Sequence, residues 1–330
     1  MKRKTRRKFQ WIVFVIVYAI FAKIMFGLYQ DHKNINSPYY FPDPQFRSLV
    51  LRHLHIEPGG KLSAAIAAQW QTKLDCSGLG IRSLQGIEFF RNLNILDCSR
   101  NEIRELDFSR NESLLHLICS ENQLTELDVS NLPELTRLSF DDNSIRSIDV
   151  GGCIWLKQLT CSNNQLTLLD CSSSCEMESI VCSRNQITEL RLPPSLRFRT
   201  LDCSQNQLTE LDCSQIPNLS ELNASQNLLS QINLRRNAEL SVLNLSHNLF
   251  QSIPELSNLL NLKTLDIRMN FLNEDDLSRL DDLRQKISPE IQEENPLLPG
   301  AVVREGRAEF AFLPQRSAAF PSDPNPQNPH

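Results

Sequence analysis

The chain reads as an α/β-type solenoid: a curved parallel β-sheet stack of about ten 21-residue coils, mostly β and loop. Helical end caps and an N-terminal transmembrane helix complete the expectation. Three observations predict it. Nine asparagines stand in register, Asn101, Asn122, Asn143, Asn164, Asn185, Asn206, Asn227, Asn248 and Asn270, with seven intervals of 21 residues and a last one of 22. Around each runs one string, Leu-x-x-Leu-x-(Cys or apolar)-x-x-Asn-x-(Leu or Ile). A basic N-terminus followed by an apolar run precedes the whole array. A fixed period of this length with this string is the signature of a leucine-rich repeat.

Taken in order, residues 1–8 form a basic tail, Lys2, Arg3, Lys4, Arg6, Arg7 and Lys8, with no acid among them. Residues 9–29 are apolar apart from Gln10 and Lys23. About 20 helical residues span a bilayer, so this segment is just long enough, and Lys23 can snorkel to the interface. The basic excess places the N-terminus in the cytoplasm and the repeats outside, in the periplasm or at the cell surface. The alternative is secretion after signal cleavage, although Ile20-Phe21-Ala22 is only the nearest approach to a small-x-small site. Residues 30–40 read as a linker and 41–72 as an N-terminal cap, with Leu49, Val50, Leu51 and Leu54 on a short helix.

The repeats occupy 73–272. In Leu93 to Ile103, Leu96 and Cys98 alternate with Ile95, Asp97 and Ser99, the period-two signal of a strand with one buried face. Each asparagine follows where the chain turns inward, and its amide can both donate to and accept from buried backbone. A second apolar alternation, Leu106-Asp107-Phe108 and its equivalents, closes the core from the other wall. The first coil departs, with Leu79 in the asparagine position, as suits a terminal repeat. Solenoid ends expose core and need covers. At the back, Asn273 can N-cap a helix over 273–287 that carries Leu277, Leu280, Leu283 and Ile287 on one face. Residues 288–330 hold eight prolines in 43 positions and read as a flexible tail.

Most of the ten cysteines read as core. Cys76, Cys98, Cys119, Cys161, Cys182 and Cys203 occupy the strand position that Phe140, Ala224, Leu245 and Ile267 fill elsewhere, and Cys171 and Cys213 fill the matching slot on the second wall. Interchange with apolar residues makes them small hydrophobes. Cys153 and Cys175 lie outside that pattern in neighbouring coils, and either a disulfide or two free loop thiols fits them. The stacked acids Asp107, Asp128, Asp149 and Asp170 fit either a calcium site or hydrogen bonds to turn backbone.

Beyond the first 30 residues, 27 basic residues face 39 acidic ones, a formal −12. Such a surface repels nucleic acid, which is excluded as a partner. No metal motif, nucleophile motif or phosphate loop appears, so no cofactor and no enzyme activity is expected. The remaining reading is recognition of a protein or glycan partner. The wall best suited to it is the concave one, where Ile95, His116, Ile118, Arg137, Val181 and Arg184 are expected to cluster. The alternative is a structural cell-envelope component that self-associates through its repeats. Trp155 stands out in a polar loop, either packed beneath it or exposed as an anchor. Arg191, Arg197 and Arg199 make a basic spot beside Pro193-Pro194.

The segment Phe41-Pro42-Asp43-Pro44-Gln45-Phe46-Arg47, the helix-like cap and repeats of the form Leu-x-x-Leu-x-Cys-Ser-x-Asn-x-Leu-Thr-x-Leu-Asp resemble bacterial extracytoplasmic internalin-type proteins. The likeness covers about residues 41–287 and is to the cysteine-ladder variety, with internalin J-like repeats. It implies non-enzymatic binding through the repeat surface, in some members adhesion to host cells. The pattern departs from the family's in its anchoring, which is expected here at the N-terminus rather than through a C-terminal sorting motif.

Overall fold

The computed structural model describes residues 33–276, apart from 38, 39 and 71, together with residue 279. The chain divides into two compact units, 1–287 and 288–330, and every described residue belongs to the first. The expected basic tail, the 9–29 span, most of the 273–287 cap and the 288–330 tail therefore lie outside the described residues. Among the described residues no helix is long and apolar enough to cross a membrane.

Among the described residues twelve three-residue strands follow in order: β1 (Lys73–Asp75), β2 (Ile95–Asp97), β3 (His116–Ile118), β4 (Arg137–Ser139), β5 (Gln158–Thr160), β6 (Leu168–Asp170), β7 (Ser179–Val181), β8 (Glu189–Arg191), β9 (Thr200–Asp202), β10 (Glu221–Asn223), β11 (Val242–Asn244) and β12 (Thr264–Asp266). Ten of them form one parallel sheet, ordered β1-β2-β3-β4-β5-β7-β9-β10-β11-β12. Pairing is in register throughout, Leu96 opposite Leu74 and Leu117, Leu222 opposite Leu201 and Leu243. This is a leucine-rich-repeat solenoid of about nine turns. At a strand spacing of about 4.8 Å the sheet runs roughly 43 Å. The second wall is strand only at the pair β6–β8. Elsewhere it is irregular, yet Phe108, Val129, Val150 and Cys213 are as buried as Cys171 in β6–β8's coil. Irregular backbone holds there because each apolar side chain still plugs the tube.

The middle residue of each strand points inward. Leu74, Leu96, Leu117, Leu138 and Leu159 are fully buried, each worth about 1.5–3 kcal/mol relative to exposure. The turn that follows is more demanding. Arg100, Glu121, Asp142, Asn163, Arg184, Gln205, Gln226, His247 and Met269 all have φ of 54–56°, a left-handed conformation that costs a side-chain-bearing residue about 1–2 kcal/mol. Each is held by its backbone N–H, which in most coils donates to the next one, as Gln205 N does to Ser225 O at 2.9 Å. The next residue in each coil is the ladder asparagine. Asn206 Nδ2 donates to the carbonyls of Cys182 (3.0 Å), Cys203 (3.0 Å) and Ser204 (3.1 Å), while its Oδ1 accepts from Ile187 N at 3.0 Å. All nine asparagines repeat this pattern. In the first coil Gly78 and Gly80 take positive φ, and Asn101 Oδ1 serves both Leu79 N and Ile81 N.

The front cap is built from α1 (Pro44–His53) and the single turn α2 (Ala64–Ala67). Asp43 caps α1 with Oδ1 toward Gln45 N and Phe46 N, and its Oδ2 accepts from Arg82 N at 2.7 Å, which ties the cap to the first coil. Phe41 and Phe46 are fully buried with ring centroids 5.8 Å apart. Gly86 has φ 105°, and a Cβ there would come within 2.4 Å of the Phe41 ring. The expected linker is different in its described part. Ile35 is buried, its N–H bonds Leu62 O, and Asn34 pairs with Ser63. Ile35 is drawn in because it covers apolar cap surface that a solvated linker would leave open. At the back, Asn273 Oδ1 accepts from Asp276 N at 2.9 Å, the N-cap bond of the helical turn over 274–276.

Two substitutions test this coil. Asn206→Asp keeps the shape and the acceptor for Ile187 N but removes both donor hydrogens, and the carbonyls of Cys182, Cys203 and Ser204 lose their partner. It should lower unfolding free energy by about 3 kcal/mol, read by denaturant titration, and a change under about 0.5 kcal/mol would contradict the ladder's role. Gln205→Val, a branched residue at positive φ, should cost about 1–2 kcal/mol, while Gln205→Gly should cost nothing.

Candidate recognition face and thiols

The outward face of the ten-stranded sheet carries three rows of side chains, from the first and third strand residues and from the position two further on. In the first row Ile95, His116 and Arg137 are direct neighbours on β2, β3 and β4. Ile118 shares β3 with His116 and lies opposite Asp97 and Ser139. These four come together. Val181 does not join them, because Ser139 and Thr160 on β4 and β5 stand between it and Ile118. That separation is three strand spacings, roughly 14 Å. Arg184 sits still further along, in the left-handed turn after β7. The six expected residues thus form one group of four and two outliers, since row position places side chains across strands while residue type does not.

Between them lies a feature the sequence reading passed over. In five of the ten coils the third strand residue is Asp or Asn and accepts from the serine two positions on, as Asp202 Oδ1 does from Ser204 N (3.0 Å) and Oγ (2.6 Å). Coils three to six carry Ile118, Ser139, Thr160 and Val181 there instead. Asp141, which interrupts the row of serines, takes over. Its Oδ2 accepts from Thr160 Oγ1 (2.7 Å), Ser139 Oγ (3.2 Å) and Ser120 Oγ (3.3 Å), and its Oδ1 from Ser162 N (2.7 Å). The Ser139 hydroxyl also lies 2.9 Å from that of Ser120 and 2.7 Å from that of Thr160. One carboxylate therefore organises hydroxyls from β3 to β5. Three hydroxyl contacts on Oδ2 and one backbone N–H on Oδ1 hold this carboxylate in place, which suits a positioning role. The gap in the serine row at 141 was the available signal.

The stacked acids of the second wall take the turn reading. Asp107, Asp128, Asp149 and Asp170 each accept through Oδ1 from the backbone N–H two residues on, at 2.8–3.0 Å. Hydrogen bonds from Ser109, Ser130 and Ser172 hold Asp107, Asp128 and Asp170 below the usual carboxylate range. Among the described residues no three His, Cys, Asp or Glu side chains group closely enough to hold a metal ion. The basic spot is dispersed: Arg191 pairs with Glu189 and Asp170, Arg197 with Glu176 at 2.9 Å, and Arg199 donates to Asn218 O.

Eight cysteines line the core, Cys76, Cys98, Cys119, Cys161, Cys171, Cys182, Cys203 and Cys213, each 0–1% exposed. Burial pushes the thiols of Cys76, Cys171 and Cys213 up to about 12 and holds the others well above the usual thiol range. Cys153 and Cys175 are both free, not bridged. Cys153 is buried, and its thiol lies 3.8 and 3.7 Å from the carbonyls of Val129 and Leu132. It belongs to a row of buried donors on the outer turn, with Asn111 on Ile87 O and Phe90 O and Asn237 on Cys213 O and Ile216 O. Cys175 occupies the next, exposed position of its own coil, so the two thiols face opposite ways. Trp155 is exposed rather than packed beneath its loop.

Comparison with known proteins agrees with this geometry. The functional domain of InlJ from Listeria monocytogenes, which includes a cysteine ladder, is 35% identical with a TM-score of 0.70 over 76% of this chain and 55% of that one. The leucine-rich-repeat domain of APL1 is 25% identical, TM-score 0.55, over 63% of this chain and 58% of that one. Internalin C2 from Listeria monocytogenes, at 22% identity and TM-score 0.50 over 72% and 96%, shares the fold. No family profile matches, and no curated protein matches closely enough to count. The fold defines a leucine-rich-repeat protein. Its repeats are similar to those of the internalin type in the cysteine-ladder variety, and the chain covers about half of the InlJ chain it resembles.

Thiol chemistry should follow burial. At pH 8, native protein treated with iodoacetamide should be alkylated at Cys175 alone, and all ten cysteines should react after unfolding, as read by peptide mass spectrometry. Because folding raises the buried thiol pKa values from 9.0, their contribution to stability is complete below pH 9 and declines as pH rises toward 12. Melting temperature should fall across that window.

Proposed function

We propose that this chain is a non-enzymatic recognition scaffold that holds a protein partner against the outward face of its sheet. The observation that carries the reading is the juxtaposition of Ile95, His116, Ile118 and Arg137 with the hydroxyl and carboxylate network of Asp141. Apolar, basic and hydroxyl groups stand side by side there on rigid strands. Side chains already held by hydrogen bonds lose little entropy when a partner docks. A row-built wall of this kind offers breadth rather than an enclosed cleft, which favours another macromolecule's surface over a small ligand. The expected glycan partner has no comparable support.

The placement of this scaffold belongs to the same proposal: residues 9–29 anchor it in a membrane, with the N-terminus cytoplasmic and the repeats outside. The six basic residues before the apolar run support that orientation. A periplasm-dependent reporter enzyme fused after residue 287 should be active, and an inactive but stable fusion would overturn the topology.

For the face itself, a photo-crosslinking side chain at 118 in native membranes should capture one protein, and Ile118→Asp or Arg137→Glu should weaken that capture by about tenfold or more, equivalent to about 1.4 kcal/mol. Melting temperature should not change. Equal capture from a probe at the exposed Ser130 on the opposite wall would sink the assignment.

A further inference from the structure

A second surface lies away from the sheet face, on the loops that lead into the strands. One outward position recurs immediately after the buried donor row. In five successive coils it is Pro133, Ile154, Cys175, Leu196 and Pro217, the first four exposed and Pro217 half-buried. Ile154 is 50% exposed and Leu196 69%, Cys175 is an exposed thiol, and Trp155 beside the ridge is 48% exposed. The flanking coils break the run with Glu112 on one side and Ala238 on the other. At roughly 5 Å per coil the ridge is about 20 Å long. Soluble surfaces seldom leave large apolar side chains contiguous without a use.

The ridge has a symmetry of its own. Read from either end it runs proline, branched aliphatic, cysteine, branched aliphatic, proline, centred on Cys175. The adjoining position reads Glu134, Trp155, Glu176, Arg197, Asn218. We infer that this ridge is an isologous interface between two copies of the chain, with the two-fold axis passing at Cys175. An isologous contact requires that residue i meets j while j meets i. Antiparallel apposition about Cys175 sets Ile154 on Leu196 of the other copy and Pro133 on Pro217. The adjoining row then sets Trp155 against Arg197 of the second copy, a cation–π pairing made twice, and Glu134 against Asn218. Glu176 comes near its own copy at the axis, but it is neutralised in each by Arg197 at 2.9 Å. With Glu134 the only unpaired charge in the two rows, the ridge carries one net negative charge on a body with 39 acids against 27 basic residues. Like charge therefore opposes the approach of two copies less here than over the acidic body as a whole. A tryptophan and an arginine at the centre of an apolar patch are the residue types that dominate interface energies. The second copy is thus the occupant whose chemistry matches the ridge on both sides of its centre.

The inference does not depend on the recognition face, since the ridge and the sheet use different residues. It is tested on the full chain in mild detergent. Sedimentation velocity should show a dimer whose dissociation lies in the micromolar range. A short bis-maleimide should link the two copies through Cys175, the exposed thiol at the axis. Cys175→Ser should abolish the crosslink and leave the dimer in sedimentation. Leu196→Glu and Trp155→Ala should each raise the dissociation constant by about tenfold or more at unchanged melting temperature. Three results would overturn it: a wild-type monomer throughout the micromolar range, a dimer indifferent to Leu196→Glu, or capture of a different protein at Trp155 by a chain that stays monomeric.

Discussion

A carboxamide in each coil carries the architecture. Parallel strands only three residues long cannot satisfy their own turns, because the chain leaves the sheet before its carbonyls find ladder partners. The asparagine amide supplies two donor hydrogens and one acceptor at that corner and links consecutive coils as well as residues within one. Without it several backbone groups would be buried unpaired in every coil, at about 1–3 kcal/mol each. The preceding residue accepts a left-handed backbone so that the amide can face inward. Strain and hydrogen bonding are therefore coupled, and the repeat length follows from needing both once per turn.

Closing the tube this way explains the cysteines. The strand slot two residues after the inward leucine takes buried apolar side chains of differing size, from Ala224 to Leu245, Ile267 and Phe140. A thiol fits that slot, tolerates burial and adds no obligatory donor. Burial then raises its pKa and removes it from redox chemistry, so a ladder of thiols can persist beside one another unbridged. Equivalent side chains on parallel strands project in the same direction, which also opposes disulfide geometry. Cys153 shows the other use of a buried thiol, as a weak donor where other coils place asparagine.

With the interior spent on closure, specificity rests on outward rows. The sheet face and the loop ridge differ in kind. On the face, Asp141 replaces the local Asp–Ser bonds of other coils with a network that spans three strands, leaving Ile118 and Arg137 beside an ordered polar surface. On the ridge, apolar side chains stand in the open with little between them but a thiol. A protein that presents two such surfaces on one rigid stack can engage a partner on one without rearranging the other, because neither shares side chains or strands' inward residues with the other.

The amino-acid sequence alone determined the repeat, its length, the inward rows, the asparagine ladder, the cysteine slots and the helical cap within 41–72, because each of these depends on residue type at a fixed spacing along the chain. The tertiary structure decided what depends on neighbours 21 residues away. It separated Val181 and Arg184 from Ile95, His116, Ile118 and Arg137, turned Cys153 inward and Cys175 outward, exposed Trp155, and drew Ile35 into the cap. It also assembled the Asp141 network, which the sequence marked only as a missing serine. Inward positions are legible because burial restricts their chemistry coil by coil. Outward positions accept many residue types, so their meaning appears only when stacking brings successive coils side by side.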